Sequence, residues 1–142
     1  MPVKRIYLAG SAGDFSFAND WRSRLNGMLN GDTQTSDPTF FCISPFRGRE
    51  DGVTYTPNQI VQRDLLDIDS CDLVVAELIR EGHPYIGTSM EIYHAYTRGI
   101  PVVVWTVDHT NHYWIKSMSV ASFLTLDAVA EHIIKFWGID GL

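Results

Sequence analysis

Short apolar runs alternate along this chain with stretches in which apolar residues recur every three or four positions. Residues 3–9 read as a strand ended by Gly10. Between Phe17 and Leu29 the residues Phe17, Trp21, Leu25, Met28 and Leu29 keep helical spacing, and Gly31-Asp32 closes the helix. Residues 39–44 form a second strand, stopped by Pro45, and a polar loop with two glycines follows to residue 55. Thr56-Pro57 opens the next helix, with Thr56 as N-cap and Pro57 at the first helical position, and it runs to about residue 70. Leu73–Leu78 is continuously apolar except for Glu77, as in a strand buried on both faces. A loop over 80–86 leads to a helix over 88–98, closed by Gly99. A buried strand over 101–107, a short helix over 112–119, a strand over 120–126 and a helix over 126–137 complete the chain. The order βαβαβαβαβα predicts a parallel sheet with helices on both faces: a three-layer α/β/α sandwich with five parallel strands, flavodoxin- or Rossmann-like.

Composition narrows the picture. At 142 residues and 45% hydrophobic, the chain suits one domain over 1–142 with a core covered on two sides. A net charge of −6 and a pI near 5.2 argue against nucleic acid as a partner, though not against a nucleoside, which is small and carries no phosphate. Cys42 and Cys71 lie in or beside apolar runs and read as buried reduced thiols, and neither they nor the five histidines have metal spacing. No apolar run nears the roughly 20 residues that span a membrane, and the first strand begins without a leader-like segment. A cytoplasmic protein without metal is expected.

In an open parallel sheet, ligands bind beyond the carboxyl ends of the strands. The loops over 10–17, 45–55, 78–90 and 108–113 should therefore build any site. Gly10-Ser11-Ala12-Gly13 lacks the third glycine of a dinucleotide fingerprint and the Lys of a P-loop; its glycines let a ligand approach the backbone. Gly87-Thr88-Ser89-Met90-Glu91 puts a carboxylate in the first turn of a helix. On pattern alone the plainer reading is a cap, because Thr88 and Glu91 fit the S/T-x-x-E capping box. By the same pattern Tyr7 reads as a core aromatic, and Asp64 as one of the solvated carboxylates of its helix.

Four ordered features change that balance: Ile6-Tyr7-Leu8-Ala9-Gly10; Gln62-Arg63-Asp64-Leu65 ahead of Asp72-Leu73-Val74-Val75-Ala76-Glu77; Gly87-Thr88-Ser89-Met90-Glu91-Ile92 with Ala95 and Gly99-Ile100-Pro101-Val102-Val103; and residues 111–119. Together they resemble the nucleoside 2-deoxyribosyltransferase family, whose superfamily includes the 2′-deoxynucleoside 5′-monophosphate N-glycosidases. The resemblance implies that Glu91 attacks C1′ and carries the sugar as an ester, that Tyr7 orients Glu91, and that Asp64 handles the proton at the base or contacts the sugar. It implies no cofactor, a deoxynucleoside and a free nucleobase as partners, and a homo-oligomer, dimer or hexamer, in which Asn111 reaches a neighbouring subunit's site. Gly10 and the Gly87–Ser89–Met90 run join the substrate-binding set, with Phe46, Met90 and Trp114 as candidates to line the base. His109 and His112 read as surface histidines in a site loop. Two positions depart from the family. Tyr85 stands where some members carry a sugar-binding Asp, a role left to Glu81 or Ser89. Asp14 stands where the monophosphate glycosidases place an Arg, which favours uncharged nucleosides unless Arg47 or Arg49 contacts phosphate. The expected activity is deoxyribosyl transfer with retention; hydrolysis of nucleosides or monophosphates, and non-catalytic nucleotide binding, are the alternatives.

Overall fold

The computed structural model describes residues 3–31, 39–46 and 54–138. Five strands, β1 (Lys4–Ala9), β2 (Phe40–Ile43), β3 (Leu73–Leu78), β4 (Val102–Thr106) and β5 (Ala121–Phe123), form one parallel sheet in the order β2-β1-β3-β4-β5. The helices are α1 (Phe15–Asn30), α2 (Pro57–Asp69), α3 (Ile86–Thr97), α4 (Tyr113–Met118) and α5 (Leu126–Trp137). This is the doubly wound flavodoxin-like arrangement. Its strand order reverses between β1 and β3, where the connections leave toward opposite faces and open a crevice.

Alternation along the strands sorts the core into two layers. Ile6 and Leu8 of β1 with Leu73 and Val75 of β3 pack under α1 and α5, on Trp21, Leu25, Val129 and Ile133. Tyr7 and Ala9 with Val74, Ala76 and Leu78 face the other way, toward Ile68 of α2 and Ile92 and Ala95 of α3. Tyr7 thus lies on the face that carries α2 and α3. Those two helices are pinned together by His94 Nε2, 2.8 Å from Asp69 Oδ1.

The helix ends follow local chemistry. Thr56 caps α2 by accepting from Gln59 N–H (3.2 Å) while its own N–H donates to Gln59 Oε1 (2.9 Å), a full capping box with Pro57 at the first position. Gly31 and Gly99 close α1 and α3 with φ of 83° and 72°. Asp14 starts α1 two residues earlier than the apolar spacing predicts, because its carboxylate accepts from Phe17 N–H at 3.1 Å. β5 spans three residues rather than the seven expected.

Candidate active site

At the reversal point, the loop after β1 and the segment joining β3 to α3 face each other across a cleft of about 530 Å³. Gly10, Ser11, Ala12 and Gly13 form one wall, and Ile86, Gly87, Thr88, Met90 and Glu91 the facing one. Asp64 and Leu65 of α2 and Phe46 after β2 complete it. Residues far apart in sequence (Gly10, Phe46, Asp64, Gly87, Met90 and Glu91) therefore share one hollow. Tyr7 stands behind it. Its ring is fully buried, and its hydroxyl donates to Glu91 Oε2 at 2.5 Å.

A short bond from a buried phenol to a partly buried carboxylate is a charge-assisted contact of the stronger kind. Burial, then the neighbouring Glu91 and Asp64 charges, drive the Tyr7 pKa far above the ordinary tyrosine value. Tyr7 is therefore a permanent donor. It fixes one oxygen of Glu91 and keeps its proton. The same electrostatics put both carboxylates within reach of one phenol.

The capping-box reading of Thr88 and Glu91 is not borne out. α3 starts at Ile86, two residues before the expected boundary, with Tyr85 as N-cap and no side-chain cap bond. Thr88 is buried inside the helix and Glu91 falls in its second turn, where the terminal dipole has largely faded. Tyr7, not the helix end, is what holds Glu91. Tyr85 makes the early start possible. It is the only described non-glycine residue with positive φ, 51°, a conformation that costs an L-residue roughly 1–2 kcal/mol. Its carbonyl accepts the first helical bond, from Ser89 N–H at 2.9 Å.

The apolar run of β3 hid the partner that holds Tyr85. Glu77 is wholly buried. Its Oε1 accepts from Ser11 N–H (2.9 Å) and Ser11 Oγ–H (3.0 Å), and its Oε2 from Ile79 N–H (2.8 Å) and the Tyr85 hydroxyl. Arg80 N–H in turn donates to the Tyr85 hydroxyl at 2.7 Å. The signal was available in the sequence: a carboxylate within a strand buried on both faces must find donors. Burial and the bond to Glu77 raise the Tyr85 phenol to about 12. Gly10 belongs to the same cluster, because a Cβ there would stand 2.9 Å from Glu77 Oε1 and 3.0 Å from the Trp21 ring.

Phe46 gives one end of the cleft an aromatic lining. Phe46 is buried, met edge-on by Phe15 at 5.9 Å between ring centres and covered by the Arg22 guanidinium at 4.9 Å. Other expected residues lie elsewhere. Ser89 and Trp114 line a second hollow of about 630 Å³ on the far side of α3, together with His109 and His112, because the helical turn that aims Met90 and Glu91 at the cleft aims Ser89 away. Asn111 is exposed and lines neither hollow of this chain. Glu81 is exposed and outside the cleft lining. Arg47 and Arg49 lie outside the described residues. Among the described residues no three His, Cys, Asp or Glu side chains are grouped for a metal ion, and no helix is long and apolar enough to cross a membrane.

The fold has counterparts in known proteins. A 2-deoxyribosyltransferase from the psychrotolerant bacterium Bacillus psychrosaccharolyticus superposes with a TM-score of 0.66 at 18% identity, over 89% of this chain and 90% of that one. A Clostridium botulinum CMP N-glycosidase gives 0.61 at 16% identity over 92% and 98% of the two chains. A 2-desoxiribosyltransferase from Leishmania mexicana gives 0.53 at 21% identity over 74% of this chain and 65% of that one. At these identities the likeness is one of fold. No curated protein matches the chain significantly in sequence. The family model for nucleoside 2-deoxyribosyltransferase matches residues 6–129, from β1 through the first turn of α5, and so takes in every wall of the cleft. By that match the chain belongs to the nucleoside 2-deoxyribosyltransferase family.

Proposed function

We propose that this protein transfers 2-deoxyribose between nucleobases through a covalent intermediate on Glu91. The observation that carries the reading is the Glu91 carboxylate, held at 2.5 Å by a buried phenol that stays protonated, on a cleft that Asp64 also lines. Departure of the base leaves positive charge on the sugar, which a carboxylate beside C1′ stabilises and then bonds to. The other oxygen of Glu91, Oε1, attacks C1′. The C1′–N bond breaks, its electron pair goes to the base nitrogen, and Asp64 supplies the proton that makes the base neutral. In the second half a nitrogen of another base attacks C1′, the ester bond returns its pair to Glu91, and Asp64 takes the proton back. Two inversions retain the configuration. Phe46 supplies an apolar face for the base.

Incubating the protein with a deoxynucleoside, with and without a second free base, tests the reading. Exchange product that needs the added base, a deoxyribosyl mass on Glu91, and loss of several orders of magnitude in Glu91→Ala are expected. Near-wild-type turnover of Glu91→Ala would defeat it.

One observation favours a second reading, hydrolysis of a nucleoside 5′-monophosphate. The start of α3 lines the cleft without a side-chain cap, so its backbone N–H groups are available to a phosphate. Against it stands Asp14, whose negative charge caps α1 at the end of the facing loop. Sugar release from a monophosphate at equal rates with and without added base would favour this hydrolase.

A further inference from the structure

We propose that Glu77 is a positioning residue of this reaction. Its carboxylate ties the loop after β1 to the left-handed turn before α3, and so fixes where Glu91 stands relative to the sugar. The inference rests on the N-glycoside reading of the cleft.

The cleft has two walls built by different strands. Nothing in a parallel sheet itself sets the distance between a loop after β1 and a helix after β3. Glu77 does so with one side chain. Oε1 holds Ser11 of the first wall by two bonds, and Oε2 holds Ile79 and Tyr85 of the second. Two backbone N–H groups and two hydroxyls converge on its two oxygens. Tyr85 transmits the constraint. Its hydroxyl is anchored to Glu77 and to Arg80 N–H, its ring packs edge-on against His83 at 4.5 Å, and its backbone holds a positive φ while accepting the bond that begins α3. Glu91 lies six residues further on, in the second turn of that helix. Glu91 is thus located twice, by Tyr7 at its carboxylate and by Tyr85–Glu77 at the root of its helix. Glu77 itself does not line the cleft, whereas its partners Ser11 and Tyr85 do. Any effect on the reaction passes through the geometry of the walls.

Glu77→Gln keeps the shape but turns two N–H groups toward a ring of donors. Tyr85→Phe removes the hydroxyl alone. Both, with the double variant and Glu91→Ala, are assayed on one deoxynucleoside at a temperature where circular dichroism shows each fully folded. Each single variant is expected to lose about 100-fold in kcat, the scale of a misplacement near 1 Å, with KM within about threefold because neither substitution adds bulk to the cleft. The double variant is expected to lose no more than the worse single, since the two residues act as one unit. A purely stabilising Glu77 would lower the melting temperature and leave kcat of the folded protein unchanged. Folded Glu77→Gln and Tyr85→Phe with kcat within about threefold of wild type, or a double variant whose loss is the product of the singles, would overturn the proposal. If Glu77→Gln does not fold, kcat of Tyr85→Phe decides by the same threshold. Full turnover by Glu91→Ala would instead overturn the N-glycoside reading, whatever Glu77 does.

Discussion

Removing the Tyr7 hydroxyl is the sharpest perturbation of the site. Tyr7→Phe keeps a fully buried ring in the α2–α3 face of the sheet and deletes only the donor to Glu91 Oε2. Two effects then compete. The hydrogen bond stabilises the Glu91 anion, so its loss makes the carboxylate a somewhat better nucleophile. It also fixes the carboxylate, so its loss lets the attacking oxygen swing away from C1′. A hydrogen bond to a charged group contributes about 1.5–3 kcal/mol, and at about 1.4 kcal/mol per decade full expression in the transition state gives a fall of about 10- to 150-fold. Misorientation alone reaches the same scale, so the second effect wins and kcat falls. Stability should move little. Glu91 is only partly buried, water can replace the phenol, and the cost stays below about 1.5 kcal/mol, a few degrees in Tm for a chain of this size. The assay is base release at saturating deoxynucleoside, beside thermal melts of both proteins. Because burial and two carboxylates keep the Tyr7 phenol protonated, the alkaline side of the pH–rate profile should be the same in both. A folded Tyr7→Phe protein with kcat equal to or above wild type would refute the orienting role. A shift of the alkaline limb would refute the claim that Tyr7 holds its proton.

Other outcomes follow from single contacts. Asp64→Asn should slow base release by about 10²–10⁴, and far less for a nucleoside whose base leaves without protonation; an equal loss on both substrates would remove Asp64 from the proton path. Two glycines of the cleft should behave oppositely. Gly10→Ala drives a methyl into Glu77 and Trp21 and should cost about 1–3 kcal/mol of stability. A Cβ on Gly87 meets nothing within 4 Å, so Gly87→Ala should fold with up to about 1 kcal/mol of gain and raise KM by filling the cleft; melts and KM values separate the pair. Burial holds the Cys42 thiol up at about 12 and Cys71 at about 11, against an ordinary value of 9.0. Their raised values favour the protonated, folded state, so this contribution is complete below about pH 8 and is lost as pH rises from 9 through 11–12. Urea midpoints between pH 7 and 10.5 should fall, and Cys42→Ala should flatten the fall; parallel curves would contradict the assignment.

The fold was legible because its signals are local and repeated. Trp21, Leu25 and Leu29 recur at helical spacing and all three are buried under α1. Leu73–Leu78 is apolar because both faces of β3 are covered, by α1 and α5 on one side and by α2 and α3 on the other. Thr56-Pro57 marks a helix start that needs no tertiary partner. Boundaries slipped where the decisive group was a tertiary one. β5 shortened at the sheet edge, where no further strand among the described residues pairs with it. α3 gained a half turn because Tyr85 adopts a conformation that no local propensity favours.

That last residue also shows why the site was only half legible. Reading Tyr85 as a missing aspartate treats the position as a ligand to sugar and asks which neighbour replaces it. In the structure the side chain faces inward, and its partner is another carboxylate, Glu77, on an adjacent strand end. A phenol and a carboxylate at one backbone site reach different distances, so position along the chain does not say where the side chain's polar end goes. The strained φ of Tyr85 and the buried charge of Glu77 are each unfavourable alone. Together they are compatible, because the turn that strains the backbone is the one that lets the hydroxyl reach the carboxylate. Two unfavourable local features that cancel only in three dimensions cannot be inferred one at a time along a chain. They are worth keeping only where geometry matters more than stability, and here they stand at the root of the helix that carries Glu91.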